Sequence, residues 1–268
     1  MTKPETDWKR PPVTEVVLGV QFDAISRLTN GHLGWFWGEL HSEFPHADDV
    51  PPIAPVVEVF GDRVPYGFPM FNIRASAGDS RLRMTSTDGS RMIQVQNGWL
   101  IANWIKTGGV DYPGFDSVKS HLDSAMTRFR SFLAERDLGV IKPNLWEVTY
   151  TDQIPVGTVW DRPTDLSRVF PGLFGACDCA NGAAETVDAT FAFRLSPLPG
   201  RLRMTIQSAR LATEPTRDLL VVQSVARGPL KTDNSDSLDQ ALNFGRSSVV
   251  DTFMRLASDD AKRYWRGG

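Results

Sequence analysis

Two cysteines, four histidines and no long apolar run are what this 268-residue sequence has least of, and each shortage excludes something. Cys177 and Cys179 are one residue apart, a spacing that cannot readily reach disulfide geometry. No other cysteine exists for either to pair with, so an oxidising compartment offers the chain nothing. No stretch approaches the ~20 apolar residues that span a bilayer. The opening MTKPETDWKRPPV has no apolar core of a secretory signal. The expected location is the cytoplasm, with no membrane partner. Basic residues number 29 against 32 acidic ones, a net charge of −3, so the positive excess of a non-specific nucleic-acid binder is missing. Phosphate loops of the GxGxxG or GxxxxGK[ST] kind are absent, as is a GxSxG elbow. His32 and His41 stand nine residues apart, and His46 and His121 are isolated, so no zinc-ligand spacing results. Cys177-Asp178-Cys179 would need two further ligands that nothing locates. No catalytic residue, metal site or cofactor is therefore expected.

What is present is a sequence that reads as if written twice. PPVTEVVLGVQF (11–22) matches PNLWEVTYTDQI (143–154) at an offset of 132, aligning Glu15 with Glu147, Val16 with Val148 and Gln21 with Gln153. Leu33, Phe36, Trp37 and Leu40 fall on Leu166, Val169, Phe170 and Leu173 at an offset of 133. The word Arg-Leu-Arg-Met-Thr stands at 81–85 and again at 201–205. Blocks in the same order point to a tandem duplication, with a first repeat over 1–140, a second over 141–268 and the boundary in Leu138–Pro143.

Each half reads as strand, helix, several antiparallel strands, helix. Val13–Phe22 is rich in β-branched residues and predicts a strand. Thr29 and Asn30 offer N-caps to an amphipathic helix over 31–44, with Leu33, Phe36, Trp37 and Leu40 buried on one stripe. Pro45, Pro51, Pro52 and Pro55 make 45–55 an extended loop, and short strands are expected at Val56–Phe60 and Phe71–Ala75. Arg81–Ser86 and Arg91–Asn97 flank the turn word Thr-Asp-Gly-Ser of a hairpin. Trp99–Ile105 is a strand, and Val118 to Leu133 mark a helix over 115–136. The second half gives a strand at 145–154 and a helix at 164–175 cut short by Pro171. Strands at 186–195, 201–211 and 218–227 follow, then one closing helix ending near Trp265. The fold class is α+β: a tandem duplication of a strand-helix-(antiparallel strands)-helix unit, with TATA-binding-protein-like or helix-grip-like halves.

Strand alternation collects the polar residues on one sheet face. Glu15, Gln21, Arg81, Arg83 and Gln96 are expected there from the first half. Glu147, Gln153, Arg201, Arg203 and Gln223 are expected from the second. The plain reading is cross-strand Glu–Arg pairing on a solvated surface. The sharper one is a ligand- or partner-binding face that holds an anionic or peptide-like group. Eight tryptophans, among them Trp35, Trp37, Trp99, Trp104 and Trp146, also suit an interface or a ligand cavity.

PPVTEVVLGVQF, followed by LTNGHLGWFW and EFPHADDVPPIAPVVEVF, resembles the opening of an uncharacterised, sporadically distributed bacterial protein family of similar length. KPNLWEVTYTDQI and the helix ending in Trp265 extend the resemblance over most of the chain. It implies a bacterial cytosolic protein with an accessory role of the mobile-element or defence kind, and brings no catalytic residues. Three readings of function follow. The first is a non-enzymatic binding or interaction protein that uses the duplicated sheet surface, its partner a protein or small molecule, homodimer included. The second is a helix-grip enzyme or small-molecule binder with an aromatic cavity. The third is a nucleic-acid-binding saddle, which the net charge opposes.

Overall fold

Apolar residues at every second position and amphipathic helical stretches build the two layers of this molecule. The computed structural model describes residues 8–58, 60, 80–108, 110–175, 178–179, 182–211, 214–230 and 235–267. The first half runs β1 (Val13–Phe22), α1 (Asn30–Leu40), β2 (His46–Val50), β3 (Arg81–Thr85), β4 (Arg91–Gln96), β5 (Trp99–Ile105) and α2 (Phe115–Glu135). The second begins with β6 (Pro143–Pro155), a 3-10 turn (Pro163–Asp165) and α3 (Leu166–Val169). After the small ribbon β7 (Asp178–Cys179) and β8 (Gly182–Ala183) come β9 (Asp188–Leu195), β10 (Gly200–Leu211), β11 (Glu214–Pro229), α4 (Ser235–Leu256) and α5 (Asp259–Arg266).

Nine strands form one antiparallel sheet in the order β2-β3-β4-β5-β1-β6-β11-β10-β9. The protein is thus α+β. The first strands of the two halves, β1 and β6, pair in the middle, with Val17 opposite Thr149. From β1 the sheet grows outward through β5, β4, β3 and β2, and from β6 through β11, β10 and β9.

One face of the sheet carries the helices. Val16, Leu18, Val20, Met84, Ile93, Leu100, Trp104, Trp146, Val148 and Met204 point into it and are buried. Phe36 of α1 packs on Phe129 and Phe132 of α2, with ring centroids 4.9 and 5.4 Å apart. Close approach sets one glycine: a Cβ on Gly245 of α4 would stand 2.5 Å from the Trp146 ring, so the bare backbone lets α4 settle on β6. Pockets aside, the helix-side core is the ordinary product of burying apolar side chains.

Several expectations need correction. Residues 46–50 form an edge strand instead of part of a loop, because the prolines flank the run without interrupting it. Asp48 and Asp49 suit it to an edge, where charge discourages pairing with another chain. Residues 56–58 and 60 are not in a strand, and Phe71–Ala75 lies outside the described residues. Helix α1 ends at Leu40, and its Trp37 is only half-buried while Leu33, Phe36 and Leu40 are buried. Trp37 lies at the rim because its Nε1 donates to the Phe44 carbonyl at 2.9 Å. The closing helix is two helices. Ser258 breaks it, its hydroxyl capping α5 by accepting from the Ala261 N–H at 3.1 Å. Finally, the repeated word Arg-Leu-Arg-Met-Thr does not occupy corresponding strands. Residues 81–85 form the third strand outward from β1, whereas 201–205 lie in the second strand outward from β6. Arg201 and Arg203 are therefore not the positional counterparts of Arg81 and Arg83.

Candidate functional site

On the sheet face opposite the helices, the register brings the polar residues together. One cross-strand row traverses all nine strands: Asp48, Arg83, Gln94, Ile101, Gly19, Glu147, Arg227, Arg201 and Arg194. Since side chains alternate along each strand, Glu15, Gln21, Arg81, Arg83, Gln96, Glu147, Gln153, Arg201, Arg203 and Gln223 all share this face. Cross-strand Glu–Arg pairing occurs at Glu147 and Arg227 but not at Glu15. Glu15 accepts from Asn103 Nδ2 at 2.8 Å, and Asn103 Oδ1 in turn accepts from Gln94 Nε2 at 2.8 Å. Strands β5 and β4 separate Glu15 from Arg81 and Arg83, so no Glu15–Arg pair forms. Arg83 pairs with Asp48 at 3.1 Å on the edge strand that the proline-rich stretch concealed. Arg81 keeps its charge at some cost, its pKa lowered by burial and by neighbouring Arg83. Glu147 accepts from Arg227 and from the Thr149 hydroxyl.

The face is not bare. Residues 51–58 leave β2 and cross over it, holding to two glutamines. Gln96 accepts from the Ile53 N–H through Oε1 and donates to the Ile53 carbonyl through Nε2, both at 2.8 Å. Gln21 does the same for Val56, at 2.6 and 3.2 Å. Gln21 Nε2 also donates to Asn144 Oδ1 at 2.9 Å. Each side-chain amide thus satisfies both backbone groups of one residue, as a neighbouring strand would. Ile53, Val56 and Phe60 cover Trp99, Ile101 and Leu145 in a small apolar cluster separate from the helix-side core. Glu58 then pairs with Arg201, across the middle of the sheet in the second half. The result is burial of Gln21 (8% exposed), Gln96 (6%) and Trp99 (3%) on what would otherwise be an open face.

Gln21, Trp99 and Gln96 form one cross-strand row. The second half contains a row of the same form: Gln153, Val221 and Gln207. There Gln207 and Gln223 are exposed and Gln153 and Val221 half-exposed.

A second concentration of polar groups lies on the helix side of the sheet. A cavity of about 840 Å³ opens between the start of α2, the middle of α4 and the floor of β6. Asp152 and Tyr150 line it from β6, Tyr112 and Asp116 from the entrance to α2, Arg246 from α4 and Trp8 from the N-terminal segment. The Tyr112 and Tyr150 hydroxyls are 3.0 Å apart, and burial pushes both above the ordinary phenol range. Asp152 is 6% exposed. Removal from water pushes its carboxyl up to about 7. Of the five tryptophans proposed for a pocket, Trp99, Trp104 and Trp146 are buried, Trp37 is half-buried and Trp35 is 62% exposed. None lines this cavity; Trp8 does.

No protein-family model and no curated protein matches the chain. Function must be read from the two sites themselves.

Among the described residues, no three or more His, Cys, Asp and Glu side chains gather to hold a metal ion, and no helix is long and apolar enough to cross a membrane. Cys177 lies outside the described residues. The signal that could have found the cavity was in the sequence. Asp152 has the same parity as Trp146, Val148, Tyr150 and Ile154, which places a carboxyl on the buried side of its strand.

Proposed function

We propose that the protein is a non-enzymatic binding protein whose open sheet face takes an extended polypeptide along the row Gln153–Val221–Gln207. The observation that carries this reading is the seat already filled by residues 53–56, where two glutamines hold an extended backbone at positions three apart. Main-chain hydrogen bonds supply affinity in such a mode, and flanking side chains supply selectivity. The reading includes a duplicated origin for the two halves. An offset of 132 carries Val17 onto Thr149, and these two residues pair across the central strands. A two-fold axis through that pair takes Gln21 to Gln153 and the row with Trp99 and Gln96 to the row with Val221 and Gln207. Two tracks then run in opposite senses over one sheet, one occupied by the chain itself.

The second track has Val221 and Gln223 where the first has Trp99 and Ile101, so its partner is more polar than residues 51–58. The arginines oppose the saddle reading for nucleic acid. Arg83, Arg201 and Arg227 are matched by Asp48, Glu58 and Glu147, and a guanidinium already paired has less charge with which to release counterions from phosphates. A bacterial, cytoplasmic accessory role, as the family resemblance implies, is compatible with recognition of a peptide segment.

The test uses a labelled peptide of residues 51–60 carrying Ile53→Thr and Val56→Thr, titrated with the full chain by fluorescence polarisation. The expected result is saturable binding that Gln153→Ala with Gln207→Ala weakens at least tenfold and Gln21→Ala with Gln96→Ala leaves in place. Absence of binding, or binding that survives loss of Gln153 and Gln207, overturns the reading.

A further inference from the structure

The helix-side cavity is independent of the argument for the open face. We propose that it binds a small organic amine, with the ammonium group on the Asp152 carboxyl and the apolar body against Phe115, Val249 and Phe253. Its volume of about 840 Å³ is that of a small-molecule site. The three apolar residues lie on its wall and are themselves buried, at 6%, 2% and 5% exposure.

Asp152 decides the chemistry. It is more than nine-tenths buried and lines the cavity, yet its carboxyl has no hydrogen bond or ion pair among the described residues. A buried carboxylate with no partner is costly, and it resolves the cost by taking a proton or a cation. Burial raises its pKa to about 7, as for a carboxyl with no cation paired to it among the described residues. The charged and titratable groups around it are Tyr150 on its own strand, Tyr112, Asp111 and Asp116 at the start of α2, Lys9 in the N-terminal segment and Arg246 on α4. Arg246 is directed to the Tyr150 hydroxyl and lies 5.9 Å from the Phe115 ring centroid. The unpartnered carboxyl on the floor of the cavity favours a guest whose head group is a cation. An ammonium provides both the missing charge and donors for the Asp152 oxygens, and an aromatic or aliphatic body displaces water from the apolar wall.

Calorimetric titration of the full chain with phenethylamine, and separately with 3-phenylpropionate, tests this. The expected result is heat of binding with the amine and none with the acid. Asp152→Asn should weaken amine binding at least tenfold. Met254→Trp, which fills the cavity from α4 and leaves the carboxyl untouched, should do the same. Far-UV circular dichroism establishes that each variant is folded. If Asp152→Asn does not fold, Met254→Trp decides. Tighter binding of the acid, no binding of the amine at millimolar concentration, or amine affinity unchanged in either folded variant overturns the proposal.

Discussion

Asp152→Asn should change the pH dependence of stability in one direction only. The carboxyl moves from an ordinary value of 3.8 to about 7 on folding. Between these two values the folded chain holds a proton that the unfolded chain has released, so stability falls as pH rises. The stabilisation is complete below the unfolded value, is lost progressively up to the folded one and changes no further above it. A gap of about three pKa units corresponds to about 4 kcal/mol across the whole window. Part of that loss is complete by pH 5, and about 2–3 kcal/mol remains between pH 5 and pH 8. Asparagine keeps the shape and has no proton to lose. Urea denaturation of wild type and Asp152→Asn at pH 5, 6, 7 and 8 therefore gives two curves that diverge, the variant gaining about 2–3 kcal/mol relative to wild type by pH 8. Asp88, held down to about 2 chiefly by the Ser86 hydroxyl, is common to both chains and cancels in the difference. Parallel curves would refute the reasoning, because they would mean that Asp152 is hydrated or paired in the folded state.

Two further outcomes test the packing and the face. Gln21→Ala with Gln96→Ala removes both clamps on residues 53–56, so hydrogen exchange at the Ile53 and Val56 amides should accelerate by at least tenfold while exchange in α2 stays unchanged; equal protection would show that the apolar cluster alone holds the segment. Phe36→Ala should cost about 3–5 kcal/mol, as for other fully buried aromatics, and half-buried Trp37→Ala clearly less by urea denaturation; the opposite order would mean that α1 buries another stripe.

The elements that could be read from sequence were those in which one local rule governs. Trp99–Ile105 and the α2 helix stand where periodicity put them, and Thr-Asp-Gly-Ser makes the hairpin turn between β3 and β4. Strand alternation alone assigned ten polar residues to one side of the sheet. Their partners were another matter, since a partner depends on strand order. The Arg-Leu-Arg-Met-Thr word shows the danger: the same five residues suit any strand with one buried face, and recurrence says nothing about which position in the sheet each copy takes. Proline misled in a second way. Pro45, Pro51, Pro52 and Pro55 read as loop signals, yet they only flank β2, and Pro51, Pro52 and Pro55 restrict the backbone of the segment that crosses the face.

The cavity was harder to see for a physical reason. Its walls come from elements distant in sequence: residues 8–13, 111–116, 150–152 and 243–254, and the pairing of β1 with β6 sets α2, which packs on β5 and β1, beside α4, which packs on β6 and β11. Asp152 nonetheless carried its own signal. In the run Trp146, Val148, Tyr150, Asp152 and Ile154 every second residue faces the core, and a carboxyl in that series violates the rule that charges stay in water unless paired. An exposed leucine is common and says little; a carboxyl at a core position requires a reason. Polar residues gathered on the polar face are what strand alternation already explains. Asp152 contradicts the alternation, and it lines the cavity whose contents decide whether that carboxyl is held by a proton or by a ligand.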